Sequence, residues 1–253
     1  VLRDIVNRHS QRLWLSHFAN RPGQLFVGAQ NRLTIMLSRD GEEADGQYCT
    51  RYHRWDARNG EREALFFTMQ YAALADMARG FHGLYPKVGV SEGVAVLRKI
   101  ASPRPLGSFL RKQSKYPIYW VRVPGYFCQF FLDPPKARPE GGGPARHRGE
   151  LNNIFAADET TQRVLHAILN SSTYFQFFCA YTDGRHINPS DVTEFPLDLE
   201  RISGRTGKRL VDLSKRLEAA MRRHTSQWRK SGLLIDSVDS RPIKPILDEI
   251  DVL

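Results

Sequence analysis

Apolar residues in this chain come in short runs, and that limits the folds open to it. Arg32 to Arg39, RLTIMLSR, is short, apolar through its middle and mixed in β-branching. Pro117 to Phe131, PIYWVRVPGYFCQFF, is dense in aromatics and is broken by Pro124-Gly125. Runs of this length between turn residues predict a buried strand at 32–39 and a hairpin or two sheet strands at 117–131. Leu25, Phe26 and Val27, after the turn residues Arg21-Pro22-Gly23, predict another short strand. A lone strand pair cannot bury both faces, so it needs a larger sheet or a covering layer. No apolar stretch approaches the roughly 20 residues that span a bilayer, and no membrane partner is expected.

Between these runs the spacing turns helical. Leu2, Ile5, Val6, Leu13 and Leu15 predict an opening helix. Leu65, Met69, Ala72 and Leu74 predict the apolar side of a helix over 61–78. The segment VLRKIASPRPLGSFLRKQ predicts a short helix followed by loops. Asp158 stands where it can cap a helix carrying Val164, Leu165, Ile168 and Leu169, with Ser171-Ser172 as an interruption. Leu210, Leu213, Leu217, Ala220, Met221, His224 and Trp228 follow steps of three and four and predict one long amphipathic helix over 208–229. His186 to Leu199 reads as loop plus a short extended segment. Pro134 to Gly149, with Pro134-Pro135 and Gly141-Gly142-Gly143, predicts a flexible basic loop. Strand-like and helix-like segments alternate, so the fold class is mixed α/β.

The formal charge of +10 is unevenly spread. Arg98 to Arg148 holds eleven basic and two acidic residues, a net of +9, and Arg205 to Lys230 holds nine and two, a net of +7. The remainder is therefore acidic, at −6. Such segregation points to a polyanionic partner, with ordinary solubilising charge as the alternative. Arg98, Lys99, Arg104, Arg111, Lys112 and Lys115 are candidates for phosphate contacts. Arg138, Arg146, His147 and Arg148 lie in or beside the basic loop, which can order across a groove or stay solvated. Tyr116, Tyr119, Trp120, Tyr126 and Phe127 fit either base stacking or core packing. In the turn at Gly184, Arg185 and His186, with Asn188 nearby, fit contacts to nucleic-acid backbone or bases; alternatively Arg185 pairs with an internal carboxylate such as Asp183 or Asp191 and His186 only fixes the loop. Cys49, Cys128 and Cys179 are far apart, and with no secretory leader pattern in VLRDIVNRHSQRLW they predict reduced thiols and a cytoplasmic location. No Cys/His spacing suggests zinc.

Several blocks resemble one family. Phe18 to Asp40, FANRPGQLFVGAQNRLTIMLSRD, is similar to the end of the catalytic domain in Eco57I-like and type IIG adenine-specific DNA methyltransferases, including the turn at Phe26 and Gly28 before the 32–37 strand. Tyr48 to Leu65, with Tyr52, His53, Arg54 and Trp55, is similar too. Ala167 to Leu199, AILNSSTYFQFFCAYTDGRHINPSDVTEFPLDL, resembles the family's Leu-Asn-Ser helix, aromatic run, Gly-Arg-His turn and Phe-Pro segment. Arg241 to Leu253, RPIKPILDEIDVL, resembles the start of its C-terminal helix, and 98–148 matches only weakly.

The resemblance implies an organisation and a role. Residues 1–47 would end a methyltransferase sheet and 48–97 would form a connecting helical region. Residues 98–200 would be an α+β target-recognition region with the flexible basic loop at 134–149, and 201–253 a C-terminal helical region. The expected function is sequence-specific DNA recognition within an adenine-N6 DNA methyltransferase of a restriction-modification system. The alternative is a non-catalytic DNA-specificity or architectural subunit. The partners implied are double-stranded DNA and an upstream catalytic domain, which would hold S-adenosyl-L-methionine. This chain itself is expected to bind no such cofactor and to contribute no catalytic residue, because the family's donor glycine motif and Asn-Pro-Pro-Tyr are not found in it. Asp133-Pro134-Pro135-Lys136 and Asn188-Pro189-Ser190-Asp191 are near-matches only. The DNA-contacting residues implied are the eight arginines and lysines Arg98, Lys99, Arg104, Arg111, Lys112, Lys115, Arg138 and Arg146, together with Arg148, Arg185, His186 and Asn188.

Overall fold

Leu13, Leu15 and His17 alternate along residues 10–18, and all three are buried. In the computed structural model this stretch is a strand, β1 (Ser10–Phe18), not the tail of an opening helix. A period of two wins over the looser helical spacing because every second side chain meets one core. The structure describes the chain apart from residues 1–5, 7–8, 21, 27, 29–30, 42–45, 57–60, 75–83, 102–103, 125–126 and 148–150, and the side chains of 61 and 62. The expectations at Leu2, Ile5, Val27, the Pro124-Gly125 turn, Tyr126 and Arg148 therefore fall wholly or partly outside the described residues. The chain divides into two compact units, residues 1–101 with 179–181, and residues 102–178 with 182–253.

In the first unit β1 is flanked by β2 (Leu33–Asp40), antiparallel to it, and β3 (Gly46–His53), parallel to it. A short β4 (Tyr71–Ala73) extends the sheet to the order β2-β1-β3-β4. The strand expected at 32–39 forms, but at the sheet's edge and not buried: Met36 is 47% and Leu37 59% exposed. Of the helix expected over 61–78, the described residues form only α1 (Glu61–Leu65), and Ala72 instead fills the sheet as part of β4. Leu25 and Phe26 form a bend, not a strand. Leu13, Leu15, Cys49, Ala72 and Leu74 pack with Val94 and Leu97 of α2 (Ser91–Ile100), the short helix expected before the basic centre. Phe18, Leu25, Trp55 and Leu65 make a second small cluster. Gly23 belongs beside it because its N–H donates to the Trp55 carbonyl at 2.8 Å, and a Cβ there would lie 2.5 Å from Trp55 Nε1.

The second unit is built on two antiparallel sheets. β5 (Pro117–Val121) lies between β6 (Phe130–Phe131) and β9 (Leu151–Phe155). The other sheet orders β10-β11-β7-β8, with β7 (Lys136–Pro139), β8 (Arg146–His147), β10 (Thr225–Lys230) and β11 (Leu233–Val238). The stretch expected as a flexible loop at 134–149 thus contains a hairpin, turning through Gly142 and Gly143 at φ of 89° and 133°. Glycine takes those angles without steric cost. Helices cover the sheets. Asp158 caps α3 (Glu159–Leu169), its carboxylate accepting from Thr161 N at 2.8 Å. Ser171 then caps α4 (Ser172–Tyr181), which carries the aromatic run. Within 186–199, expected as loop plus a short extended segment, a short helix α5 (Pro189–Thr193) forms, its first turn closed by Asp191.

The long helix is α6 (Gly204–Arg223), and it stops six residues short of the expected end. Leu210, Leu213, Leu217 and Met221 are buried on one face against Val164 and Ala167 of α3 and against Ile243, Leu247 and Ile250, the last two on α7 (Lys244–Asp251). Thr225 takes the Met221 carbonyl with its hydroxyl at 2.7 Å, and the chain turns into β10. Ser231 and Gly232, both at positive φ (52° and 74°), join β10 to β11 as a two-residue hairpin turn. His224 and Trp228 kept the helical spacing by coincidence.

Candidate nucleic-acid interface

The basic side chains expected at DNA divide between the two units. Arg98 and Lys99 are exposed in the last turn of α2, in the first. There they also oppose the negative end of the helix dipole. The rest of the described set belongs to the second unit. Arg104 is ion-paired with Glu200 at 2.5 Å, which lowers its value for a phosphate.

Arg111, Lys112 and Lys115 follow the 3-10 turn Leu106–Phe109 and are all exposed. Their backbone is held in place. Arg111 N–H donates to Phe155 O at 2.9 Å, and Ser114 Oγ donates to Ala156 O at 2.7 Å. Among the described residues none of the three meets a carboxylate, and Lys115 Nζ lies 5.3 Å from the Tyr116 ring. Arg138 on β7 and Arg146 on β8 are likewise exposed without a described carboxylate partner. Such cations keep their full charge for a ligand.

The Gly184 turn is internally bonded. Gly184 takes φ of 64° and Asp183 Oδ1 accepts from Arg185 N at 2.7 Å and His186 N at 2.8 Å. Asp183 Oδ2 faces His186 Nδ1 at 3.0 Å. Asn188 gives its backbone and side-chain N–H groups to Asp191 at 2.7 and 3.0 Å. His186 and Asn188 therefore fix the loop and α5, while the Arg185 side chain stays exposed. The aromatics divide too. Trp120 is fully buried, its Nε1–H donating to Ile187 O at 2.9 Å, and Phe127 packs on Phe175 at 4.8 Å. Tyr119 stacks on His147 at 6.3 Å.

One site was not legible in the spacing. All six residues of β10 are exposed, including Gln227, Trp228, Arg229 and Lys230. Arg229 is 3.4 Å from Glu140, and Lys230 Nζ sits 5.7 Å from the Trp228 ring centroid. The signal available was Ser231-Gly232, a two-residue hairpin turn.

A cleft of about 220 Å³ lies between β7, β11 and α6. Asp133 there is 3.5 Å from Lys136 and 3.9 Å from Arg222, while Glu218 pairs with Arg222 at 2.8 Å and Arg163 at 2.5 Å. Pro134 and Pro135 are buried beside Asp133. These charges satisfy one another. At the cleft's wall His166 is fully buried, and burial pushes its pKa down to about 4, against an upward pull from Glu218. Phe130 O, 3.1 Å away, can only accept, so Nε2 carries the proton and Nδ1 accepts from Ser214 at 2.9 Å. A histidine with a depressed native pKa adds stability that is complete above its unfolded pKa near 6.5 and is lost as pH falls toward 4. We expect unfolding free energy to drop by about 2–3 kcal/mol from this group between pH 7.5 and pH 4.5. Urea titrations of the chain and of His166→Gln at both pH values check it: an equal drop in both removes His166 as the cause.

Among the described residues no group of three or more His, Cys, Asp or Glu side chains is gathered as a metal ion would need, and no helix is long and apolar enough to cross a membrane. The three cysteines are free. No protein-family model matches the chain, and no curated protein matches it.

Proposed function

We propose that the chain recognises double-stranded DNA as the target-recognition part of an adenine-N6 DNA methyltransferase of a restriction-modification system. The observation that carries the DNA-binding half is the set of exposed cations in the second unit, Arg111, Lys112, Lys115, Arg138 and Arg146, with no carboxylate partner among the described residues. Asp133, Lys136, Glu218 and Arg222 pair with charges of opposite sign in the cleft, whereas these five cations are left for a polyanion. The methyltransferase half is supported by the resemblance of residues 18–40, 48–65, 167–199 and 241–253. It is also supported by β2, which ends its sheet among the described residues and exposes Met36 and Leu37, as suits a sheet continued by an upstream domain.

Methylating a base in a duplex requires that it be flipped out, so a recognition part serves by clamping phosphates and reading neighbouring bases. S-adenosyl-L-methionine would supply the methyl group in the upstream domain. This chain's own near-matches do not fit that chemistry. The Asp133 carboxylate is engaged by Lys136 and Arg222, and the Asn188 amide is bonded to Asp191. Its contribution is to bind and orient DNA.

The test is filter binding of a mixed-sequence duplex from about 50 to 300 mM salt. Log affinity should fall linearly with log salt, with a slope of roughly −3 or steeper, from a dissociation constant on the order of micromolar to 100 μM at physiological salt. Absence of retention at the lowest salt overturns the proposal.

A further inference from the structure

The sheet of β7, β8, β10 and β11 can be followed rung by rung. Trp228 lies opposite Ile235, Ile235 opposite Ala137, and Ala137 opposite Arg146. The next rung toward the turns is Arg229, Leu234 and Arg138, and the last is Lys230, Leu233 and Pro139. Directly opposed residues share a face and successive rungs alternate. One face therefore carries Trp228, Ile235, Ala137 and Arg146 on one rung, Lys230, Leu233 and Pro139 on another, and Ser226 and Ser237 on a third, with Ile235 buried beneath its neighbours. The other carries Arg229, Arg138, Lys136 and Asp236, and it lines the cleft against α6. The first face bears no carboxylate among its strand residues, while Trp228 is 44% exposed on it.

β10 is an outer strand of its sheet among the described residues, and its one aromatic, Trp228, is open to solvent among polar and charged neighbours. Here the ring is bracketed by cations: Lys230 beside it, and Arg146 at the far end of the same rung system, about 14 Å away across three strand spacings. That span is several times the roughly 3.4 Å rise per nucleotide along one strand of a duplex. We infer that this face is a stacking platform for unpaired nucleic acid, Trp228 taking a base, Lys230 a phosphate beside it and Arg146 a phosphate farther along the same strand. Stacking needs no particular base, because each has a π-face, so the platform holds a displaced strand and leaves sequence readout to other residues. The inference rests on the DNA-binding reading and extends it from duplex to unpaired nucleotides.

Tryptophan fluorescence isolates the site, since Trp55 and Trp120 are buried and Trp14 is half-buried and stacked on Tyr48. Titrating the chain with a thymidine oligonucleotide of about ten residues should quench emission, and anisotropy of a labelled oligonucleotide gives the affinity. Trp228→Ala should lose most of the quenching and roughly tenfold in affinity, with Trp228→Phe recovering most of the affinity. Replacing Lys230 and Arg146 together with alanine should make the salt slope shallower by about 1.4. If Trp228→Ala binds the oligonucleotide as tightly as the parent while duplex binding persists, the platform is refuted and the duplex reading stands. Binding of the single strand through Trp228 without duplex binding leaves the platform and removes the duplex reading. A chain that binds neither removes both.

Discussion

Replacing Trp120 with alanine is expected to destabilise the second unit by about 3–5 kcal/mol. The side chain is fully buried, packs against Phe130 at 5.6 Å and donates its indole N–H to Ile187 O. The variant leaves both a cavity and an unpaired carbonyl, two costs that arise from the one substitution. The carbonyl belongs to the residue between His186 and Asn188, so the Gly184 turn should loosen with it. Trp228→Ala, a change of the same size on the exposed β10, should shift stability by no more than about 0.5 kcal/mol. Urea denaturation of both variants, followed by circular dichroism, makes the comparison. Similar losses in the two would contradict the placement of one ring in the core and the other on the surface.

The second large effect concerns charge. Changing Arg111, Lys112 and Lys115 together to alanine should make the salt slope for duplex binding shallower by about 2.7, from three lost phosphate contacts. Extrapolated to about 0.1 M salt, that amounts to an affinity loss on the order of a hundredfold or more. The loss should be equal for any duplex sequence, since phosphates carry no sequence information. These side chains are exposed and make no described ion pair, so folding should be unaffected. An unchanged slope would show that the three merely solubilise the loop after the 3-10 turn.

How much of this was legible in the sequence depends on the range of the interaction. Local rules served well. Asp158 caps its helix, Leu210, Leu213, Leu217 and Met221 face the core, and β5 forms where the aromatic run begins. Failures came where tertiary packing chose between two periods. Leu13 and Leu15 fit a helix or a strand, and only burial against Cys49 and Val94 selects the strand. Trp228 continues a helical spacing, but Thr225 closes the helix and Ser231-Gly232 turns the chain back. The candidate site suffered in the same way. Charge was counted along the chain, a measure blind to the fact that Arg98 and Arg146 belong to different compact units. It also kept Lys230 apart from Arg146, which β11 and β7 bring into one sheet.

The open side of β2 sets a second response to salt, opposite in sign to the first. Met36 and Leu37 are uncovered, and an edge strand's outward N–H and C=O groups can pair with another chain. At low salt the net charge of +10 keeps copies apart. Near 1 M salt the screening length shrinks to about 3 Å, and that repulsion no longer reaches across the gap. On the proposed reading, the same concentrated salt that weakens phosphate contacts also removes the charge repulsion between copies at the β2 edge.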